Sequence, residues 1–271
     1  MSDWIASGRM YSVTPALEAG WRTLLGHVSA EAGVQLEFLA YPAPLPLESL
    51  WRRTNLGAVF MCGYPVALRL APVVPIAAPI PLAPWAGGRA VYRTNLIVRR
   101  DAPYERLEDS FGARAGYTVE YSQSGFNAFR HHLLQYRRPD RPALYASMTG
   151  NLTAARGILD AVIGGQIDIG PLDSYWHLLL EHAEPDATRG VRTLASTELT
   201  PIPTFVATAG ADAATIAALR EAFLAAATRP WFDSCRELLQ IAGFAHVRTA
   251  EYSIYLDWDR EAKAAGYALP A

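Results

Sequence analysis

Val119–Arg130 reads VEYSQSGFNAFR: a strand-like start gives way to Ser122, Gln123, Ser124 and Gly125, after which Phe126 and Phe129 begin a helical spacing. A serine at such a junction is a helix N-cap, because its side-chain oxygen takes up one of the unpaired first-turn N–H groups. The same junction suits an anion. First-turn amides point outward at the positive end of the helix, and hydroxyls add donors without adding charge. Glycine lets a ligand approach the backbone closely. Two readings therefore stand side by side, a plain cap and a cap that is also a cradle. The glycines that flank the serine of a hydrolase elbow are absent.

Working outward, the hand-over from strand to helix recurs along the chain. Trp4–Ala6 reads as a strand. Thr14 and Pro15 read as N-cap and first residue of a helix in which Leu17, Trp21, Leu24, Leu25 and Val28 share one face. Strands are expected at Val34–Leu39 and Gly57–Met61, a helix at Leu47–Arg53, and a turn at Cys62–Pro65 (CGYP). Further strands are expected at Ala90–Arg99, Gly116–Val119, Leu144–Met148, Ile167–Gly170 and Val191–Ala195, with Thr200–Thr208 extended. Helices are expected from Leu152 to Ile163, stopped by Gly164-Gly165, from Asp173 to Glu181, and at Ala213–Ala227 and Trp231–Ala242. This is an α/β pattern. The expected layout is discontinuous, with residues 1–92 and 199–271 forming one lobe and 93–198 inserted as a second, joined by two crossings.

Composition narrows the function classes. The 271 residues are 51% hydrophobic and 18% charged, which is globular, and the formal charge of -2 gives no field toward nucleic acid. Lys263 is the only lysine, a bias given no functional weight. The most apolar run, Val66–Trp85, carries Arg69 and five prolines, so it reads as a short helix and extended buried chain rather than a membrane span. The start, MSDWIASGRMYSV, lacks the pattern of a secretory leader. The expected location is periplasmic if a leader has been removed and cytoplasmic if Met1 is the native start. Cys62 and Cys235 have no metal-ligand spacing and read as two separate buried thiols or one long-range disulfide.

Asp173, His177 and Glu181 fall on one helix face, which is either an ion-paired face or a metal site, the former being the ordinary case. Asp168 is expected to hydrogen-bond locally, and Asp173 to meet an amine or hydroxyl of a ligand, cap its helix, or both. No Walker loop, dinucleotide fingerprint or nucleophile–histidine–acid set is apparent, so neither catalytic residue nor cofactor nor metal is expected.

In order along the chain, MYSVT (Met10–Thr14), CGYP, YRTNLIVRRDAP (Tyr92–Pro103), YSQSGFNAF (Tyr121–Phe129), the Gly150–Leu179 stretch and TPIPTFVAT (Thr200–Thr208) resemble the phosphate/phosphonate-type periplasmic substrate-binding proteins of ABC transporters. The resemblance implies a two-lobed type II periplasmic-binding-protein fold, with a ligand cleft between the lobes and two hinge crossings. It implies a solute-binding protein rather than an enzyme, closing over a small polar or anionic ligand. Enzymes on the same bilobal fold, of menaquinone- or thiamin-pathway type, and a cytoplasmic ligand sensor are the alternatives. The family's Ser-Thr-Ser cradle falls on Ser122, Gln123 and Ser124, beside Gly125 and Asn127. Its cleft tyrosines resemble Tyr11, Tyr64 and Tyr92, its later acidic residue resembles Asp173, and Asn151 and Tyr175 complete the ligand-binding set. Two departures stand out: Gln123 replaces threonine, and Gly150-Asn151-Leu152 stands where the family often has Gly-Ser-His. The partners implied are the small ligand and an ABC permease, with no nucleic acid, no membrane insertion and a monomeric state.

Overall fold

The computed structural model describes residues 4–270. The chain divides into two compact units, Met1–Tyr92 with Thr200–Ser253 and Arg93–Leu199 with Ile254–Ala271. In chain order the first unit opens with β1 (Trp4–Ser7), α1 (Pro15–Ala32), β2 (Leu36–Phe38), α2 (Leu47–Trp51), β3 (Leu56–Met61), α3 (Gly63–Ala67), β4 (Val73–Pro81) and β5 (Val91–Tyr92). The second holds β6 (Thr94–Arg99), β7 (Arg114–Gly116), α4 (Ala128–Leu133), β8 (Ser147–Thr149), α5 (Ala155–Ile163), β9 (Ile169–Asp173), α6 (Ser174–Ala183), α7 (Pro185–Thr188) and β10 (Val191–Ser196). The chain then returns to the first unit as β11 (Thr200–Pro201), β12 (Thr204–Thr208), α8 (Ala213–Ala225), α9 (Phe232–Leu238) and β13 (Ile241–Ala245). It ends in the second unit with α10 (Ile254–Ala264).

Among the described residues the first unit carries a six-stranded sheet, ordered β13-β4-β12-β3-β1-β2. Strands β1, β2 and β3 are parallel, while β12 and β13 run antiparallel to their neighbours. Helix α1 starts as its sequence dictates: Thr14 accepts the Leu17 N–H at 3.3 Å, Pro15 follows, and Leu17, Trp21, Leu24, Leu25 and Val28 are all buried. An aromatic column fills the core, with Phe60 stacked on Phe205 at 3.8 Å, Phe205 on Phe223 at 4.8 Å, and Trp21 edge-on to Phe60 at 5.0 Å. Such offset and edge contacts add to the apolar area each ring removes from water.

Strand β4 contains Pro75, Pro79 and Pro81 yet lies inside this sheet, between β12 and β13. Proline cannot donate to a ladder, and the β4–β12 and β4–β13 registers both slip, at Phe205/Val206 and at Ile241/Gly243. The second unit has a five-stranded sheet, β10-β6-β9-β7-β8. Its core gathers Leu96, Val98, Ala115, Phe129, Leu133, Tyr145 and Ile169.

Several expected boundaries move, each for a local reason. The strand read at Gly116–Val119 ends at Gly116, because the Thr118 N–H turns away to the Gly125 carbonyl at 3.2 Å. The helix read from Leu152 starts at Ala155, since Asn151 and Thr153 take left-handed φ values of 57° and 64°. The helix read at Trp231–Ala242 stops at Leu238, where Gln240 at φ 49° reverses the chain into β13. CGYP is the entry to a short helix rather than a bare turn. The segment Ile254–Ala271 belongs to the second unit, not with 199–253 as the sequence reading expects, so the chain passes between units a third time after Ser253. The physical reason is a buried ion pair, Arg130 Nη2 to Asp259 Oδ1 at 2.6 Å, which ties α10 to α4.

Trp21 has no exposed surface and donates its indole N–H to the Tyr11 carbonyl at 3.0 Å. Trp21→Ala should lower the unfolding free energy by about 3–5 kcal/mol. Urea denaturation followed by circular dichroism measures this, and a loss under about 1 kcal/mol would contradict the packing described.

Candidate functional site

Ser122 is the N-cap that the sequence suggests: its Oγ accepts the Gly125 N–H at 3.0 Å. The turn it caps is wider than an α-helix. Gln123–Asn127 form one π-helical turn, with the Asn127 N–H reaching the Ser122 carbonyl at 3.0 Å, and α4 continues from Ala128. π-turns inside helices are frequent at functional positions. Gly125 is required by close approach: a Cβ there would lie 2.0 Å from Thr118 Oγ1 and 2.8 Å from its Cγ2. First-turn amides such as those of Gln123 and Ser124 have no carbonyl within their own helix to pair with.

Thr94, at the start of β6, organises what surrounds this turn. Its hydroxyl donates to the Ser124 carbonyl at 2.9 Å, and its backbone pairs with Asp173 of β9. Asp173 in turn caps α6, its Oδ1 accepting the N–H groups of Tyr175 at 2.8 Å and Trp176 at 3.0 Å. Ser174 is fixed by the residue just before β6, accepting the Arg93 N–H on its Oγ at 3.1 Å. The two expected site segments, Ser122–Gly125 and Asp173–Tyr175, are thus assembled around Thr94.

The turn contains polar atoms that the protein leaves unused. Gln123 is fully buried, and its Nε2 makes no hydrogen bond within the chain. Thr118 Oγ1 is buried in the same condition. By contrast, Gln123 Oε1 accepts the Asn127 Nδ2 at 2.9 Å. Asn127 Nδ2 also donates to the Tyr255 carbonyl at 3.0 Å, and Asn127 Oδ1 accepts from Arg130 Nη2 at 3.0 Å.

Each remaining expected site residue has its own setting within its unit. Tyr11, in the first unit, is buried edge-on to Phe60 at 5.0 Å. Tyr64 lies buried in α3, and the Tyr92 hydroxyl sits 4.0 Å from Cys62 Sγ. Tyr175 is fully buried in α6, and burial raises its phenol well above the ordinary value. Asn151 is exposed in the loop after β8. Asp168 forms a bidentate pair with Arg114, at 2.9 and 2.7 Å, and that hydrogen bonding holds its carboxyl below the usual range. His177 accepts from Asn95 Nδ2 on Nδ1 at 3.3 Å and faces Glu181 through Nε2 at 3.3 Å, while burial lowers its pKa. No group of three or more His, Cys, Asp or Glu among the described residues is placed to hold a metal ion. Cys62 and Cys235 are buried and not disulfide-linked. Thr94, Thr118, Arg130 and Asp259 were not singled out from sequence. Thr94 lies within the YRTN motif, whereas Asp259 carries no local signal.

Two α/β units, each with its own sheet, and a capped turn with unfilled donors describe a binding protein of the type II periplasmic kind. Over residues 12–255 the chain matches the model of the ABC transporter phosphonate periplasmic substrate-binding protein family, and it belongs to that family. It is accordingly a substrate-binding component that works with a transporter permease, not an enzyme. Comparison with curated proteins gives no match. Among solved structures, it is similar to the binding component of an ABC phosphonate transporter from Pseudomonas aeruginosa, with TM-score 0.79, 16% identity, and 97% of this chain and 88% of that chain covered. It is similar to PhnD1 of Prochlorococcus marinus in complex with methylphosphonate, with TM-score 0.79, 13% identity, and 97% and 98% covered. A Xanthomonas citri protein bound to ATP aligns with TM-score 0.66 at 18% identity, covering 98% of each chain. These likenesses establish the two-lobed fold.

Gly125→Ala should destabilise the protein by about 1–3 kcal/mol through overpacking on Thr118. Placing the same change in a Thr118→Ala background should remove most of that cost, and thermal melts of the four proteins measure the coupling. Additive effects would show that the contact is not the constraint.

Proposed function

We propose that the ligand is a small phosphate- or phosphonate-like oxyanion gripped by the Ser122–Gly125 turn, and that the protein acts as a monomer. The observation that carries this reading is a neutral donor at the helix start, Gln123 Nε2, which is buried and makes no hydrogen bond within the chain, between Ser122 and Ser124. An unmet buried donor costs about 1–3 kcal/mol, a cost that a ligand oxygen removes. The helix start adds a favourable dipole for a negative charge. Asp173, held at the same strand start, is the proposed partner for a hydroxyl or amine on the ligand's organic part. The methylphosphonate held by the Prochlorococcus marinus protein supports the ligand class. Leu152 offers no polar group where the family often has histidine, so the oxyanion is held by neutral donors alone.

Inorganic phosphate, methylphosphonate and small carboxylates are the ligands to titrate, with thermal stabilisation as the readout. At a hundredfold excess over Kd the best of them should stabilise by about 2.7 kcal/mol. Ser122→Ala and Ser124→Ala should each weaken that ligand by roughly tenfold. Unchanged binding in both variants would falsify the assignment of the site.

A further inference from the structure

We propose that Gln123 Nε2 is a ligand-facing donor held in one orientation by a relay from the C-terminal helix, with Asn127, Arg130 and Asp259 as positioning residues. This rests on the oxyanion reading above and specifies how its site is set. A glutamine amide presents either its nitrogen or its oxygen to a ligand, and a half-turn about its last bond exchanges them. Here each link removes that choice from the next. Arg130 is donor-only, so the Asn127 atom at 3.0 Å from its Nη2 is the oxygen. Asn127 must then direct its nitrogen to Gln123 and to the Tyr255 carbonyl, at 2.9 and 3.0 Å. Gln123 meets that nitrogen with its oxygen, which leaves its own nitrogen as the atom without a partner.

The far end of the relay is fixed by charge. Arg130 Nη2 donates to Asp259 Oδ1 at 2.6 Å and Nη1 to the Ala268 carbonyl at 3.2 Å, while Lys263 Nζ holds Asp259 Oδ2 at 2.7 Å. The Arg130 and Asp259 side chains are 3% and 10% exposed, so this pair is not loosened by water. Arg130 is neutralised by Asp259, and the relay transmits orientation to the turn rather than charge. Its consequence is selectivity. A threonine hydroxyl both donates and accepts, whereas an amide nitrogen only donates, so the ligand atom it meets must be an acceptor oxygen.

The test combines binding with a ligand-free readout on the full chain. In the ligand-free protein, the side-chain amide of Gln123 should give a rigid pair of NMR resonances. Arg130→Met, which leaves Asp259 paired with Lys263, should lower the order parameter of that amide group and shift its resonances, because the side chain then samples both flips about Cγ–Cδ. With inorganic phosphate or methylphosphonate as probe, Gln123→Met should weaken binding about tenfold. Arg130→Met should do the same alone but add less than twofold in the Gln123→Met background. Should Arg130→Met fold poorly, Asn127→Asp keeps the volume while facing Gln123 Oε1 with an acceptor, and should also weaken both oxyanions. Undiminished binding by Gln123→Met, or an amide pair unaffected by Arg130→Met, overturns the inference. Failure of the intact protein to bind any oxyanion overturns the functional reading, and the relay is then decided by the amide spectrum.

Discussion

The arrangement of the second unit depends on Thr94. Its N–H donates to Thr197 Oγ1 at 3.0 Å, its carbonyl accepts the Thr197 N–H at 2.9 Å, and its hydroxyl holds the Ser124 carbonyl. It also occupies the ladder position facing Asp173. One buried residue therefore sets the outgoing strand, the returning strand, the π-turn and the cap of α6. With all its polar atoms in use, it has no alternative partner to turn to. Valine, close in volume, would break only the hydroxyl link, but that link is what joins the turn to the sheet.

A turn that holds an anion with neutral donors differs from one that uses a guanidinium. A full charge has to be stripped of water before it can bind, and it then binds its counterion strongly. Backbone amides, hydroxyls and an amide side chain are already oriented by the fold and carry smaller desolvation costs. Arg130, which reaches the turn through Asn127, is compensated by Asp259. For a member of a family that works with a permease, the proposed grip built from dipoles would be firm yet reversible.

Sequence was most informative where one residue type has one local consequence. Thr14, Ser122 and Asp173 are legible as caps because short polar side chains satisfy orphan amides only at such places. The apolar stripe of α1 is legible because period and burial coincide. Less legible was anything decided at a distance. Trp231–Leu239 has helical spacing that runs straight into Ile241, and only the pairing of β13 with β4 shows where the helix gives way. The π-turn could not be told from an α-turn, since both begin with the same cap and differ only in which carbonyl the Asn127 N–H reaches. Asp259 is tied to the candidate turn through Arg130, 129 residues earlier in the chain. The candidate loop residues were recognisable as chemistry, but their supports were not.

The three passages between units bear on the order in which the protein can be made. The first unit lacks the edge strand β13 until residue 245 is available, and the second lacks α10 and the partner of Arg130 until residue 259. Neither unit can therefore close before residues 245 and 259, respectively, have been synthesised. Contacts of such long sequence separation make for slow folding, because loop closure must be met before burial rewards it. Until then Arg130 and the aromatic core of the first unit wait for late partners. Late completion leaves the nascent polypeptide extended and threadable for longer than two separately folding domains would be.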